Sequence, residues 1–126
     1  MSILIVEDDS INALVLSRIL QSAGYQTVMA NNGKEALLTM STASGIQLIV
    51  TDYMMPEMDG LEFIEKVRAL PKFNHVPILV ASAHGDLETV KRTKNLQCEG
   101  FLIKPLNKQQ VIERVRQLLG LAIEHV

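Results

Sequence analysis

Two kinds of segment alternate along this chain. Five short runs carry no charge: Ile3–Val6, Thr27–Ala30, Ile46–Thr51, Pro77–Ser82 and Gly100–Ile103. They are mostly continuous in apolar character rather than alternating, as expected of strands buried on both faces. Between them the apolar residues fall at helical spacing. Ile11, Leu14, Val15 and Ile19 mark the first helix, and Val111, Ile112, Val115, Leu118 and Leu119 mark the last. Asn32 with Glu35, Asp59 with Glu62, and Asn107 with Gln110 have the spacing of capping boxes at helix starts. Gly24 and Pro71 stand where helices should stop. The thinnest helical pattern is 86–96, where only Leu87, Val90 and Leu96 are strongly apolar.

This is a strand–helix pair repeated five times. Right-handed crossovers then give an α/β fold, a parallel sheet with helices on both faces. The expected arrangement is the flavodoxin-like (βα)5 one, with five strands in the order 2-1-3-4-5. At 126 residues the chain is expected to be a single domain over 1–126. Composition narrows the function classes. A net charge of −2 provides no basic excess for direct nucleic-acid binding, and the basic stretch 90–95 reads as a solvated helix face. A lone cysteine, Cys98, excludes an internal disulfide and a cysteine-based zinc site. No apolar stretch is long enough to span a membrane, and "MSILIVEDD" does not read as a signal peptide, so a cytoplasmic protein is expected.

The reactive residues stand at the carboxyl ends of the predicted strands. Strand 1 runs into Glu7-Asp8-Asp9, strand 3 into Asp52, strand 4 ends in Ser82, and strand 5 runs into Lys104-Pro105. Strand 2 runs into Ala30-Asn31-Asn32, which has no such group. Taken singly, Asp8 or Asp9 could cap a helix, Asp52 could close a turn and Lys104 could be a loop residue. Together they gather where an open parallel sheet binds ligands, beside the reversal of strand order between strands 1 and 3. Carboxylates on those neighbouring strands would repel one another without a cation between them. A hard divalent ion fits, and Mg²⁺ is the usual one where phosphate is also bound. An aspartate beside Mg²⁺ can act as a nucleophile toward phosphorus, forming an acyl phosphate. The Lys104 ammonium and the Ser82 hydroxyl would stabilise the transferring group, and Ala83 leaves room for it.

With "ILIVEDD", "TDYMMPEMDG", "PILVASA" and "FLIKP" in this order, the chain resembles the receiver domains of two-component response regulators over essentially its whole length. The resemblance implies that Asp52 accepts a phosphoryl group from a phosphohistidine on a sensor histidine kinase or a histidine phosphotransfer protein. It implies that Asp8 and Asp52 ligate Mg²⁺ directly, that Glu7 holds it through water, and that the Met54 backbone carbonyl is a further ligand. Asp9 is left to begin the first helix. Ser82 corresponds to the family's hydroxyl switch, Phe101 to its aromatic switch and Lys104 to its phosphate-binding lysine. The Lys104-Pro105 bond resembles one that is cis in the family. Activation would then change the face made by helix 4, strand 5 and helix 5. The implied role is that of a signalling phosphoacceptor, which catalyses its own phosphorylation and dephosphorylation rather than serving as an enzyme. A downstream protein target is implied, and a phosphorylation-dependent homodimer is compatible with it. Met54 and His84 occupy positions that influence phosphoryl lifetime in receivers.

Three other readings use the same residues. A haloacid-dehalogenase-like phosphohydrolase needs a second aspartate two residues after the nucleophile, where this chain has Met54, which transfers no proton. A receiver fold kept as a binding module without phosphorylation would not need the full set of acids, lysine and hydroxyl. A flavin-binding module would need a phosphate cradle after strand 1, where three acids stand instead.

Overall fold

The computed structural model describes residues 2–53, 55, 58–83 and 87–124, the last four by backbone alone. The elements follow one another as β1 (Ser2–Val6), α1 (Ser10–Ser22), β2 (Gln26–Ala30), α2 (Gly33–Thr42), β3 (Ile46–Asp52), α3 (Gly60–Ala69), β4 (Ile78–Ser82), α4 (Leu87–Asn95), β5 (Gly100–Ile103) and α5 (Lys108–Glu124). All strand pairs are parallel and the sheet order is β2-β1-β3-β4-β5, as the sequence predicts. Strand β4 starts at Ile78 rather than Pro77, and proline has no N–H to give a ladder.

The continuous apolar runs feed two cores. Leu4, Val6, Ile49, Ile78 and Val80 pack with Ala36 and Met40 of α2 and Phe63, Ile64 and Val67 of α3. Ile3, Ile5, Leu48, Val50, Leu79 and Ala81 pack with Ala13, Leu16 and Leu20 of α1 and Val111, Val115 and Leu118 of α5. Successive strand residues thus serve opposite faces, and both faces are apolar. Burying one such Leu, Ile or Phe side chain is worth about 1.5–3 kcal/mol.

Helix ends follow the predicted signals. Asn32, Asp59 and Asn107 side chains accept from the backbone N–H of Glu35, Glu62 and Gln110 at 2.8, 2.8 and 3.2 Å. Helix α1 closes with Gly24 at φ +95°, Gly24 N–H donating to Gln21 O and Tyr25 N–H to Leu20 O. That pair of bonds is a Schellman motif, which needs a left-handed residue at this point. Helix α3 ends at Ala69, before Pro71.

Two helices turn faces inward that their apolar residues do not indicate. In α1 the buried residues are Ala13, Leu16, Ser17 and Leu20, while Ile11, Leu14 and Val15 are 73%, 44% and 52% exposed. The two stripes are offset by two residues, roughly half a turn. Ala13 and Ser17 are small, and Ser17 Oγ is satisfied by Thr27 Oγ1 at 2.6 Å. In α4 the buried residues are Thr89 and Thr93, and Leu87 is 69% exposed.

Candidate functional site

Strand register assembles the site. Val6 lies beside Thr51, Asp52 beside Ala81, and Ser82 beside Ile103. Glu7 N–H donates to Ala30 O at 3.0 Å and Lys104 N–H to Ser82 O at 2.8 Å. Glu7, Asp52, Ser82 and Lys104 are therefore held by backbone pairing to the neighbouring strand end. The Lys104-Pro105 peptide is cis, as the resemblance implies.

Glu7, Asp8 and Asp52 each present a carboxylate oxygen within 4.8 Å of the others. Lys104 Nζ donates to Glu7 Oε1 at 2.5 Å and to Asp52 Oδ2 at 3.2 Å. Glu7 is 5% exposed. Burial pushes its carboxyl up to about 7, opposed by the Lys104 hydrogen bond and assisted by the nearby Asp52 charge. Burial works against the Lys104 ammonium, but the hydrogen bond to Glu7 and the Asp52 charge outweigh it and hold its pKa above the ordinary lysine value. The Lys104 ammonium thus meets two of three clustered carboxyl groups, a balance that leaves a negative excess for a cation to neutralise. Clustered hard oxygen donors with that excess fit a divalent ion of the Mg²⁺ kind.

The other expected residues take distinct places. Asp9 is the N-cap of α1, accepting from Ile11 N–H at 2.9 Å and Asn12 N–H at 3.1 Å. Ser82 is buried at the end of β4. Phe101 pairs with Val80, two residues short of the Ser82–Ile103 level, and is partly buried against the core that includes α3. Met54 and His84 lie outside the described residues.

Gly60 has a role that helix-start chemistry did not reveal. Its N–H donates to Tyr53 O at 2.8 Å. A Cβ there would lie 2.4 Å from Asp52 O and 2.8 Å from Tyr53 Cα. The start of α3 is pressed against the backbone of Asp52, and only glycine allows that approach. The adjacent Asp59-Gly60 pair signals a helix start but not what the helix start touches.

The family model "Response regulator receiver domain" matches residues 3–116. The chain belongs to that family. This receiver domain is 31% identical to "Two-component response regulator ORR3" of Oryza sativa subsp. japonica over 109 residues, 86% of this chain and 83% of that protein. It is 30% identical to "Chemotaxis protein CheY1" of Helicobacter pylori over 121 residues, covering 95% and 98% of the two chains. Among solved structures it is similar to chemotaxis response regulator CheY4 of Vibrio cholerae, with a TM-score of 0.87 at 30% identity, covering 93% and 97%. A CheY-like receiver domain protein from Methanospirillum hungatei superposes with a TM-score of 0.91, covering 99% and 98%; at 24% identity it bears on the fold alone. The receiver domain is a signalling module of two-component systems, and no helix among its described residues is long and apolar enough to cross a membrane.

Proposed function

We propose that this receiver, acting as one unit over residues 1–126, takes a phosphoryl group onto Asp52 from a phosphohistidine of a sensor histidine kinase or histidine phosphotransfer protein. The setting is the cytoplasm. The observation that carries the reading is the meeting of Glu7, Asp8 and Asp52 oxygens, with Lys104 Nζ on two of them. In the transfer an Asp52 oxygen bonds to phosphorus as the P–N bond breaks, and that bond's electron pair returns to the imidazole nitrogen. Glu7, Asp8, Asp52 and the Met54 carbonyl are the residues that would hold Mg²⁺. When bound, the ion supplies positive charge at the phosphoryl oxygens. Lys104 follows the incoming charge: its ammonium bridges Glu7 and Asp52 and can turn to a phosphoryl oxygen. The Ser82 hydroxyl is drawn to the same group, Phe101 turns inward, and the face of α4, β5 and α5 changes. Attack by water on the acyl phosphate reverses the state, so the chain catalyses both its own loading and its own unloading.

Intact mass measurement after incubation with acetyl phosphate and Mg²⁺ tests this. The expected result is one added phosphoryl group, labile to base, absent with EDTA and absent in Asp52→Asn. No gain, or an equal gain in Asp52→Asn, overturns the assignment.

The phosphohistidine donor docks on the apolar residues around the site, Ile11, Leu14 and Val15 of α1 and Leu106 after β5. The exposure of the three α1 residues supports this surface. Ile11→Glu should slow transfer from a phosphohistidine protein while leaving labelling by acetyl phosphate unchanged. Unchanged transfer from the protein donor would remove α1 from the docking surface.

A further inference from the structure

One row of residues crosses the sheet just below the reactive strand ends. Register places Ala30, Val6, Thr51, Val80 and Phe101 side by side on β2, β1, β3, β4 and β5. Along β3 the two cores alternate, with Leu48 and Val50 facing α1 and α5 and Ile49 facing α2 and α3. Thr51 therefore turns toward α2 and α3. Ala30, Val6, Val80 and Phe101 pack in or against that same core. Thr51 carries the one hydroxyl in the row and is 0% exposed. Burying a hydroxyl among apolar side chains is costly unless it is hydrogen-bonded, and its neighbours in the row have nothing to bond it.

The partner is the backbone of the next residue. Thr51 Oγ1 donates to Asp52 O at 3.1 Å. In a continuing strand the carbonyls lie in the plane of the sheet and the side chains stand roughly perpendicular to it. A side chain on the α3 face reaches the next carbonyl only where that carbonyl tips out of the plane. The chain turns at this point, and the Asp52 and Tyr53 carbonyls both face the start of α3. Gly60 N–H donates to Tyr53 O at 2.8 Å. A Cβ on Gly60 would lie 2.4 Å from Asp52 O and 2.9 Å from Tyr53 O.

Asp52 is thus paired with Ala81 across the ladder, and its carbonyl is fixed by the Thr51 hydroxyl beneath the bare Cα of Gly60. Only the side-chain torsions separate the Asp52 carboxylate from that backbone. A tilt of the peptide would carry the carboxylate with it and change the 3.2 Å separation of Asp52 Oδ2 from Lys104 Nζ.

We propose that Thr51 is a positioning residue for the reaction at Asp52. Its hydroxyl sets the tilt of the Asp52 peptide where β3 ends, and so aims the carboxylate at the incoming phosphorus. Rates depend steeply on such alignment of reacting atoms. Thr51 is sealed from solvent, so it acts through Asp52 and not on the donor. This role deepens the phosphoacceptor reading and rests on it; the bond between Thr51 and Asp52 does not.

Two pairs of side chains isolate the hydroxyl. Thr51→Val keeps the branched shape and removes the donor, whereas Thr51→Ser keeps the donor and removes the methyl group. Thr51→Ala, set against Thr51→Ser, removes the donor a second time. Intact mass followed over time, with acetyl phosphate and saturating Mg²⁺, gives the labelling rate. The maximum rate in Thr51→Val should fall about three- to tenfold, the factor that corresponds to one neutral hydrogen bond. The half-saturating acetyl phosphate concentration should not change. Thr51→Ser should label at nearly the native rate, and Thr51→Ala more slowly than Thr51→Ser by the same factor. If Thr51→Val does not melt cooperatively, the serine–alanine pair decides alone. An unchanged maximum rate without the hydroxyl overturns the positioning role, even if the variant melts lower. So does a loss confined to the half-saturating concentration, or a Thr51→Ser chain as slow as Thr51→Val, which would assign the effect to methyl packing. A second readout needs neither donor nor ion. The carbonyl ¹³C resonance of Asp52 in EDTA should move upfield in Thr51→Val and stay near its native position in Thr51→Ser; a resonance that does not move in Thr51→Val overturns the bond itself. If the native chain gains no mass, the phosphoacceptor reading fails, and the carbonyl resonance still decides whether Thr51 fixes the Asp52 peptide.

Discussion

Glu7 lies against Lys104 and Asp52 with little access to water, and its carboxyl is pushed up to about 7, chiefly by burial. A carboxyl raised in the folded state binds its proton more tightly there than in the unfolded chain. Its contribution to stability is therefore fully present below the ordinary glutamate range, near 4.5, and is lost as pH rises through about 7. In EDTA, thermal melts from pH 4.5 to 8 should show stability falling relative to Glu7→Gln, with the gap levelling above pH 7. A gap that does not change with pH would mean that Glu7 is not desolvated as described. Gly60 presents a steric case at the same scale. Gly60→Ala puts a methyl group against Asp52 O, a backbone atom that cannot swing aside. The expected loss is about 1–3 kcal/mol, the range for overpacking a filled space, together with slower labelling of Asp52 by acetyl phosphate. Normal stability would show that α3 can back away from β3 at no cost. Neither effect was legible in the sequence. The order of acids and lysine was, because strand ends announce themselves. That Lys104 bridges Glu7 and Asp52, and that Gly60 rests on Asp52, depends on distances set by packing across the sheet.

Elements were legible in proportion to how far the core dictates their composition. The strands serve an apolar layer on each side, so nearly every position is apolar and their extents could be read closely. A helix needs only one stripe, and α1 has more apolar residues than that stripe uses. Ile11, Leu14 and Val15 have helical spacing but face water, whereas Ala13 and Ser17 face the sheet. Leu16→Ala should cost about 2–5 kcal/mol, as for other buried leucines, while Ile11→Glu should leave denaturant midpoints nearly unchanged. A large loss from Ile11→Glu would place the buried face of α1 on the wrong side. Helix α4 was hard to read for a different reason. It buries threonines, and Thr93 Oγ1 donates to Val90 O at 2.9 Å, so hydroxyl groups are accommodated where hydropathy looks for aliphatics. The same logic applies at its end. Gln97 occupies a left-handed position where Gly24 serves α1. Gln97→Gly should raise stability by about 1 kcal/mol, the penalty an L-residue bears there. A loss instead would show that the glutamine side chain secures the turn.

Across the whole molecule, the parallel sheet fixes where charge can collect. Every strand points the same way, so the ends of β1, β3, β4 and β5 share one edge, and Glu7, Asp52, Ser82 and Lys104 there are tied to neighbouring strands by backbone. The resulting cluster is expected to oppose folding in the absence of a cation, since three carboxyl groups gather where one ammonium meets two of them. Under the proposed ion binding, stability of the entire domain is linked to the ion. A ligand that binds only the folded chain stabilises it by about 2.7 kcal/mol at a hundred times its dissociation constant. For a domain of this length that corresponds to a rise in Tm of about 10 °C. Saturating Mg²⁺ should produce such a rise at pH 8 and a smaller one at pH 5.5, where protons compete for Glu7. Asp52→Asn should melt higher than the native chain in EDTA, because one repelling charge is gone, and should gain less from Mg²⁺. Scanning calorimetry with and without the ion measures both differences. If Asp52→Asn melts lower in EDTA and still gains the full increment, the acidic cluster neither strains the fold nor binds the ion through Asp52. The site would then have to be sought away from the strand ends.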